Sequence, residues 1–212
     1  RGVVDELDFW GGTFFLVLVV GLIVIGGSGN IAPLVGGVTL MVMIYAGGHI
    51  SGGHYNPAVT LAVLVRGRIN TGDAVAYMIA QVAGAIAAAF IVKYLIGEDK
   101  MPHEAITNPD AIKALIAEFL GTFALAYVVL NVATAKSNAG NSYFGLAIGF
   151  TVTAMAYTLG SFSGGAFNPS VRVGVSIMKL VVWSDIWIYL VGCFGGAILA
   201  AIVFNFNNQD DK

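Results

Sequence analysis

The feature that most constrains this chain is a run of 57 residues, Phe9–Val65, that contains no Asp, Glu, Lys or Arg. One bilayer crossing needs about 20 consecutive apolar residues, so this run is long enough for two transmembrane helices. A Ser-Gly-Asn sequence at 28–30 marks a turn inside it. We therefore predict helices near 9–27 and 33–50.

Further charge-free runs continue the same pattern along the chain. Runs at 74–92, 119–135 and 186–209 are each suited to one crossing, and the run 137–171 is too long for one helix and too short for two. The period-two alternation of a membrane barrel is not visible in stretches such as AQVAGAIAAAFIV. We predict an all-α membrane protein with six transmembrane helices and two half-length apolar segments, around 56–66 and 168–179.

The composition excludes several other classes of protein. Hydrophobic residues make up 58% of the chain and charged residues 10%, whereas a soluble domain carries about 25% charged residues. A net charge of −2 does not provide the positive charge that nucleic-acid binding requires. A single cysteine, Cys193, cannot form an internal disulfide or a thiolate metal site. No basic and apolar leader precedes the first run, so we expect no signal peptide in the sequence at hand.

Two sequence landmarks occur twice in the same order. GTFFLVLVV at 12–20 corresponds to GTFALAYVV at 121–129, and SGGHYNPAV at 51–59 corresponds to SGGAFNPSV at 163–171. Each copy holds three crossings and one half-length segment, so the second copy starts from the opposite side of the membrane. We predict a single transmembrane domain over 1–212, with inverted repeats at about 9–96 and 112–206 and a connector at 97–111.

Small residues also recur within the repeats. GAIAAA at 84–89 and GGAILAA at 195–201 have the composition that lets membrane helices approach closely. We expect most glycines outside the repeated Gly-Gly motifs to serve helix packing.

Each half-length segment opens with Asn-Pro directly after a loop that contains a Gly-Gly pair. Asn is among the best helix N-caps, and Pro suits the first helical turn because its missing N–H would have no partner there. Asn56-Pro57-Ala58 and Asn168-Pro169-Ser170 therefore begin helices of about 10 residues, or roughly 15 Å, half the hydrocarbon thickness. Two such half-helices entering from opposite sides would meet N-terminus to N-terminus at the midplane.

The loops before the half-helices predict a water-filled path. Irregular backbone at membrane depth survives only when it is buried in protein or lines a wet cavity. We expect carbonyl groups to line that path at Gly52, Gly53, His54, Tyr55, Gly164 and Ala166.

These motifs resemble those of the aquaporin family, also called major intrinsic proteins. HISGGHYNPAVT is very close to the first family signature, SGGAFNPSV followed by Gly174 is similar to the second, and the stretch EFLGT at 118–122 matches the start of the fourth helix. The resemblance covers essentially the whole chain. It implies a cofactor-free homotetramer in the bilayer with a pore in each protomer for water and small neutral solutes. It also implies cytoplasmic termini, and we expect the plasma or cytoplasmic membrane rather than an organelle membrane.

The sequence departs from the family pattern at the narrow outer filter. Counted from the two Asn residues, the filter positions of the family fall on Gly36, Ala156, Gly165 and Val171, where the last is usually Arg. Val at that position also resembles some tonoplast-type intrinsic proteins. All four residues are small and uncharged, so the resemblance implies a wide filter.

Arg172 follows the filter position directly and leaves two readings open. One helical step turns a side chain by about 100°, which points Arg172 away from the direction of Val171. Arg172 is then a mouth or structural residue that bonds loop carbonyls, or its side chain bends back toward the filter.

A second departure concerns a carboxylate. The acid expected four residues before Thr13 is replaced by Phe9, with Asp8 one place earlier. In the second repeat Glu118 stands alone in apolar surroundings, so we expect it to bond a buried backbone group.

Several functional classes are compatible with these residues. His49 and His54 are five residues apart and have no acidic companion, so they do not form a helical zinc pair, and we expect neither a metal nor an enzymatic reaction. A passive water channel explains the half-helices, and a glycerol or small-solute facilitator with water as a secondary substrate is the alternative. A coupled transporter, with Glu118 as its ionisable residue, and a structural junction protein are the alternatives of other classes.

Overall fold

The computed structural model describes residues 3–103, 105–107 and 110–211, with side chains from Trp10 onward. Over these residues the chain forms eight α-helices. They are α1 Val3–Ile25, α2 Ala32–Ser51, α3 Pro57–Val65, α4 Thr71–Ile96, α5 Ala111–Val129, α6 Phe144–Ser163, α7 Pro169–Ile177 and α8 Ile186–Asn207. A short π-helix, Leu130–Thr134, continues α5.

The predicted succession of long and half-length helices is confirmed. In the described part of the chain, five segments containing α2, α4, α5, α6 and α8 are long and apolar enough to span a bilayer. The sixth predicted crossing is α1, which has 23 residues and an apolar part at Trp10–Ile25. The two predicted half-helices, α3 and α7, have nine residues each.

Helix packing follows the inverted repeat. In the first half α1 packs against α2 and α4, and in the second half α5 packs against α6 and α8 in the same way. The half-helices cross over, since α3 packs against α8 and α7 packs against α4, while α2 and α6 contact each other. Exchanging the two halves therefore reproduces the same set of contacts. The repeat boundaries given above stay predictions.

Glycines bring the backbones of the main helix pairs into direct contact. A Cβ added to Gly84 on α4 would lie 2.5 Å from the Trp10 carbonyl oxygen on α1. A Cβ added to Gly196 on α8 would lie 2.3 Å from the Phe119 carbonyl oxygen on α5. The close approach expected from the small-residue stretches is thus present in both repeats.

The residue before each Asn-Pro pair adopts a left-handed backbone conformation. Tyr55 and Phe167 both have φ of 46°, which is unfavourable for a residue with a side chain. Their rings lie against a glycine of the first helix of their own repeat, because a Cβ on Gly12 or Gly121 would fall 2.2 Å from a ring carbon. Each ring thus fills a socket that exists only because the helix has no side chain there.

An acidic residue ties three segments together at the end of the bundle where α3 and α5 finish. The Asp211 carboxylate lies 3.0 Å from Arg66 and 3.2 Å from Arg68, and it accepts a 2.8 Å hydrogen bond from the backbone N–H of Lys136. That N–H and the nearby cations hold the pKa of Asp211 below its usual range. Arg66, Arg68 and Lys136 therefore lie at the same end of the bundle.

The ring sockets predict a sharp difference between two neighbouring glycines. Gly12→Ala should destabilise the protein by about 1–3 kcal/mol, because the added methyl group collides with the Tyr55 ring. Gly11→Ala is the matched control, since a Cβ there meets nothing within 4 Å. Thermal unfolding in detergent measures the difference, and equal stability of the two variants would contradict the socket.

Candidate functional site

The two Asn-Pro motifs form the N-terminal caps of the half-helices. The Asn56 side-chain oxygen accepts a hydrogen bond of 2.9 Å from the Ala58 N–H, and the Asn168 oxygen accepts one of 2.9 Å from the Ser170 N–H. Both Asn residues have extended backbone angles, and a proline occupies the first turn after each. The prediction that Asn56 and Asn168 begin helices is confirmed.

Each Asn also reaches across to the other repeat. The Asn56 amide nitrogen donates a 2.8 Å hydrogen bond to the Phe167 carbonyl, and the Asn168 amide nitrogen donates a 2.9 Å bond to the Tyr55 carbonyl. The N-termini of α3 and α7 therefore face each other. Because an amide group has two hydrogens, each Asn keeps a second N–H beyond this bond.

The loops before the half-helices have the same internal bonding. The paired glycines at 52–53 and 164–165 have φ between 63° and 88°. The hydroxyl oxygens of Ser51 and Ser163 accept hydrogen bonds from the N–H groups of the second glycine, at 3.2 and 3.1 Å. The Tyr77 hydroxyl donates to the Ser51 carbonyl at 2.8 Å, and the Tyr189 hydroxyl donates to the Ser163 carbonyl.

Glu118 organises the second loop from α5. Its Oε1 accepts hydrogen bonds from the Ser163 hydroxyl at 2.6 Å and the Ala166 N–H at 3.1 Å, and its Oε2 accepts one from the Phe167 N–H at 2.7 Å. The Cys193 sulfur lies 3.5 Å from Oε2. Two of these partners are backbone N–H groups of the loop, the kind of partner that the sequence led us to expect for this carboxylate.

The first loop is held by a different set of side chains. The Thr60 hydroxyl donates to the Asn56 carbonyl at 3.1 Å and accepts from the Gln81 amide at 3.1 Å. The His54 Nδ1 lies 3.2 Å from the same hydroxyl. In the first repeat we expected the corresponding carboxylate to be missing at Phe9 or displaced to Asp8. The side chains of these two residues lie outside the described part of the chain.

A cavity of about 500 Å³ extends past both Asn residues. Its walls are largely apolar, and residues of α1, α2, α3, α5, α6, α7 and α8 and of the loops contribute to them. The sequence-predicted residues that line it are Gly36, Gly53, His54, Asn56, Ala156, Gly164, Gly165, Ala166, Asn168, Val171 and Arg172. All four predicted filter positions thus face one cavity.

Other predicted residues lie behind the cavity wall. Gly52 and Tyr55 are not among the described residues that line it, and the Tyr55 carbonyl accepts the Asn168 amide instead. The cap residues Pro57, Ala58, Pro169 and Ser170 are buried in the packing of the half-helices. Glu118 is fully buried among the loop groups that it binds.

Arg172 combines features of both readings given for it. Its Nη2 donates to the loop carbonyl of Val182, and its guanidinium carbon lies 4.2 Å from the centroid of the Tyr189 ring. The same side chain lines the cavity next to Val171. Sequence reasoning missed Tyr189, although it lies one repeat offset of 112 residues after Tyr77.

The connector also reaches the cavity, which the sequence did not indicate. Ile106 pairs with the loop after α7 through two 3.2 Å hydrogen bonds, from its N–H to the Leu180 carbonyl and from the Val182 N–H to its own carbonyl. Ile106 and Leu180 both line the cavity at this end. Val182 therefore joins the connector to Arg172.

Comparison with known proteins agrees with this geometry. A family profile described as MIP, Major intrinsic protein, matches residues 9–204. The chain belongs to the major intrinsic protein family. It is therefore a multi-pass membrane channel rather than an enzyme.

Individual relatives come from plants and bacteria. The chain is 35% identical over 210 residues to Aquaporin NIP1-1 of Zea mays, covering 95% of this chain and 73% of the relative. It is 35% identical over 208 residues to Glycerol uptake facilitator protein-like 6 of Lactiplantibacillus plantarum, covering 94% of this chain and 96% of the relative.

A solved structure shares the fold. The aquaglyceroporin from Plasmodium falciparum superimposes with a TM-score of 0.83 over 96% of this chain and 95% of that chain, at 21% identity. At that identity the likeness concerns the arrangement of helices and half-helices.

The contacts of Glu118 predict a large effect from a small change. Glu118→Gln should lower the free energy of unfolding by about 2 kcal/mol or more, because an amide group cannot accept all three loop hydrogen bonds. Glu98→Gln is the control, since the Glu98 side chain is 68% exposed and pairs only with Lys93 among the described residues. Thermal unfolding in detergent measures both, and a Glu118→Gln variant as stable as the control would contradict the assigned role.

Proposed function

We propose that this protein is a passive channel for water whose wide outer filter also admits ammonia, urea and glycerol, and which excludes protons and ions. The observation that carries the proposal is a single cavity that passes two facing Asn-capped half-helices and four small filter residues. The described residues that line it include one cationic side chain, Arg172, and no acidic one.

Proton exclusion follows from the charges at the centre of the cavity. Each helix N-terminus carries roughly half a positive charge, so two N-termini facing each other repel cations. Asn56 and Asn168 each have one amide hydrogen beyond the bond to the opposite loop. A passing water that accepts both hydrogens has its lone pairs occupied and cannot relay a proton.

The filter residues support passage of solutes larger than water. Gly36 and Gly165 contribute no side chain, Ala156 contributes one methyl group, and Val171 contributes an uncharged branched side chain. Pore diameter and polar lining determine which neutral solutes fit. A ring of these four residues leaves more room than a ring that contains aromatic side chains.

A glycerol or small-solute facilitator with water as a secondary substrate is the second candidate. Two observations favour it: the apolar cavity walls, and the relative from Lactiplantibacillus plantarum, whose name describes a glycerol uptake facilitator-like protein. A coupled transporter fits less well, because the oxygens of Glu118 are engaged by loop donors and the residue does not line the cavity.

The proposed assembly is a homotetramer in the plasma or cytoplasmic membrane, with one pore in each protomer. The family resemblance supports it. So do the large apolar side chains on the outside of α4 and α6, such as Ile79, Phe90 and Phe150, which need lipid or another subunit as cover.

The filter assignment is tested by Val171→Arg in proteoliposomes exposed to gradients of water, glycerol, urea and ammonia, with and without ion gradients. We expect glycerol and urea flux to fall about tenfold more than water flux, because a long cationic side chain narrows the ring. Val171→Leu is the control for size without charge. An equal reduction for all solutes would show that Val171 is not part of a selectivity filter, and dependence of wild-type flux on an ion gradient would indicate a coupled transporter.

The role of the two amides is tested by replacing both Asn56 and Asn168 with Asp. A carboxylate can still cap a helix but donates no hydrogen bond, so we expect reduced water flux or a new conductance for cations. A variant with Asn205→Asp and Asn207→Asp, at the end of α8, adds the same charge outside the cavity. Unchanged permeation in the folded Asn56→Asp, Asn168→Asp variant would rule out the proposed role.

A further inference from the structure

The guanidinium of Arg172 is buried with part of its hydrogen-bonding capacity unused. The residue is 1% exposed, and its Nη2 is bound to the Val182 carbonyl. Its Nε and Nη1 have no hydrogen-bond partner among the described residues. Buried polar groups are almost always paired, so these two nitrogens indicate a partner from outside the protein.

The unpartnered nitrogens belong to a side chain of the cavity wall. Arg172 lines the cavity on the same helix as Val171 and Val175, and Leu180 and Val181 continue the wall in the loop that follows. The pocket thus offers one cation beside an apolar surface. That combination suits a small molecule with one anionic end and one short apolar end.

The charges around the cavity favour an anion. Among the described ion pairs none includes Arg172, and both half-helix N-termini lie on the same cavity. Two carboxylates act electrostatically on the guanidinium: Asp185, just before α8, and Glu118 on α5. The oxygens of Glu118 accept bonds from Ser163 and from backbone N–H groups of the loop, and neither carboxylate lines the cavity. The Tyr189 ring, which lies 4.2 Å from the Arg172 guanidinium, supports the cation without neutralising it.

We propose that small monocarboxylate anions bind at Arg172 and block the channel. The carboxylate would accept hydrogen bonds from the free nitrogens of the guanidinium, a pairing that is stronger than one between neutral groups. The short alkyl end would lie against Val171, Val175 and Leu180. The anion then occupies the route to Asn56 and Asn168 and reduces water flux, so this inference rests on the proposed function.

The test uses proteoliposomes and acetate. Water permeability is measured by stopped-flow light scattering at neutral pH, with acetate on both sides and chloride of the same osmolarity as the reference. We expect a saturable reduction of about twofold or more with acetate, because the charge-assisted pairing holds the ligand in the cavity. Acetamide, which has the same shape without the charge, should cause no comparable reduction.

Variants connect the effect to Arg172. Arg172→Gln keeps a donor for the Val182 carbonyl but removes the charge, so inhibition by acetate should disappear. Arg172→Lys keeps the charge and should retain inhibition. Lys179→Gln removes an exposed cation in the loop after α7 and serves as the control, with inhibition as in the wild type.

The outcomes separate this inference from the proposed function. Equal inhibition by acetate and acetamide, or undiminished inhibition of Arg172→Gln, would overturn the inference. If Arg172→Gln does not fold, the acetamide comparison in the wild type and acetate inhibition of the Arg172→Lys variant decide whether acetate binds at Arg172. If wild-type vesicles show no water flux, the proposed function fails, and saturation-transfer NMR of acetate on the purified protein in detergent then decides whether the site exists.

Discussion

An unpaired backbone amide in hydrocarbon costs several kcal/mol. The two non-helical loops at the centre of this bundle must therefore find hydrogen-bond partners for their backbone groups. Each loop satisfies part of its backbone through the other repeat, because Asn56 donates to the Phe167 carbonyl and Asn168 donates to the Tyr55 carbonyl. Neither half-helix can therefore keep its position without the other. The crossed packing of α3 against α8 and of α7 against α4 fixes the same dependence at the level of helices.

Local chemistry made much of this arrangement predictable from the sequence. Asn-Pro predicts the capped start of a helix, and its presence in two inverted copies predicts two facing half-helices. Counting from Asn56 and Asn168 also gave the four predicted filter positions, and all four residues line one cavity. The count works because the repeats keep their spacing.

The remaining features depend on contacts between distant segments. The Arg172 side chain is positioned by the Tyr189 ring and the Val182 carbonyl. The angle between successive residues of a helix, which is all that the sequence provides at Val171, gives no information about these two contacts. We expected the Tyr55 carbonyl to line the path, but it accepts a hydrogen bond from Asn168 instead. Which loop carbonyl binds the opposite Asn depends on how the two repeats pack together. Ile106 reaches the cavity through a pairing across more than 70 residues, which no local pattern signals.

The aromatic sockets on Gly12 and Gly121 have a consequence for how permeation responds to temperature. Tyr55 and Phe167 hold a strained backbone in place because their rings are wedged against bare helix backbone. The loop carbonyls and amide hydrogens beside them are thereby oriented before any solute arrives. Under the proposed channel function, a molecule that crosses the centre meets groups that are already in position, so we expect rearrangement of the loops to add little to the activation enthalpy of permeation.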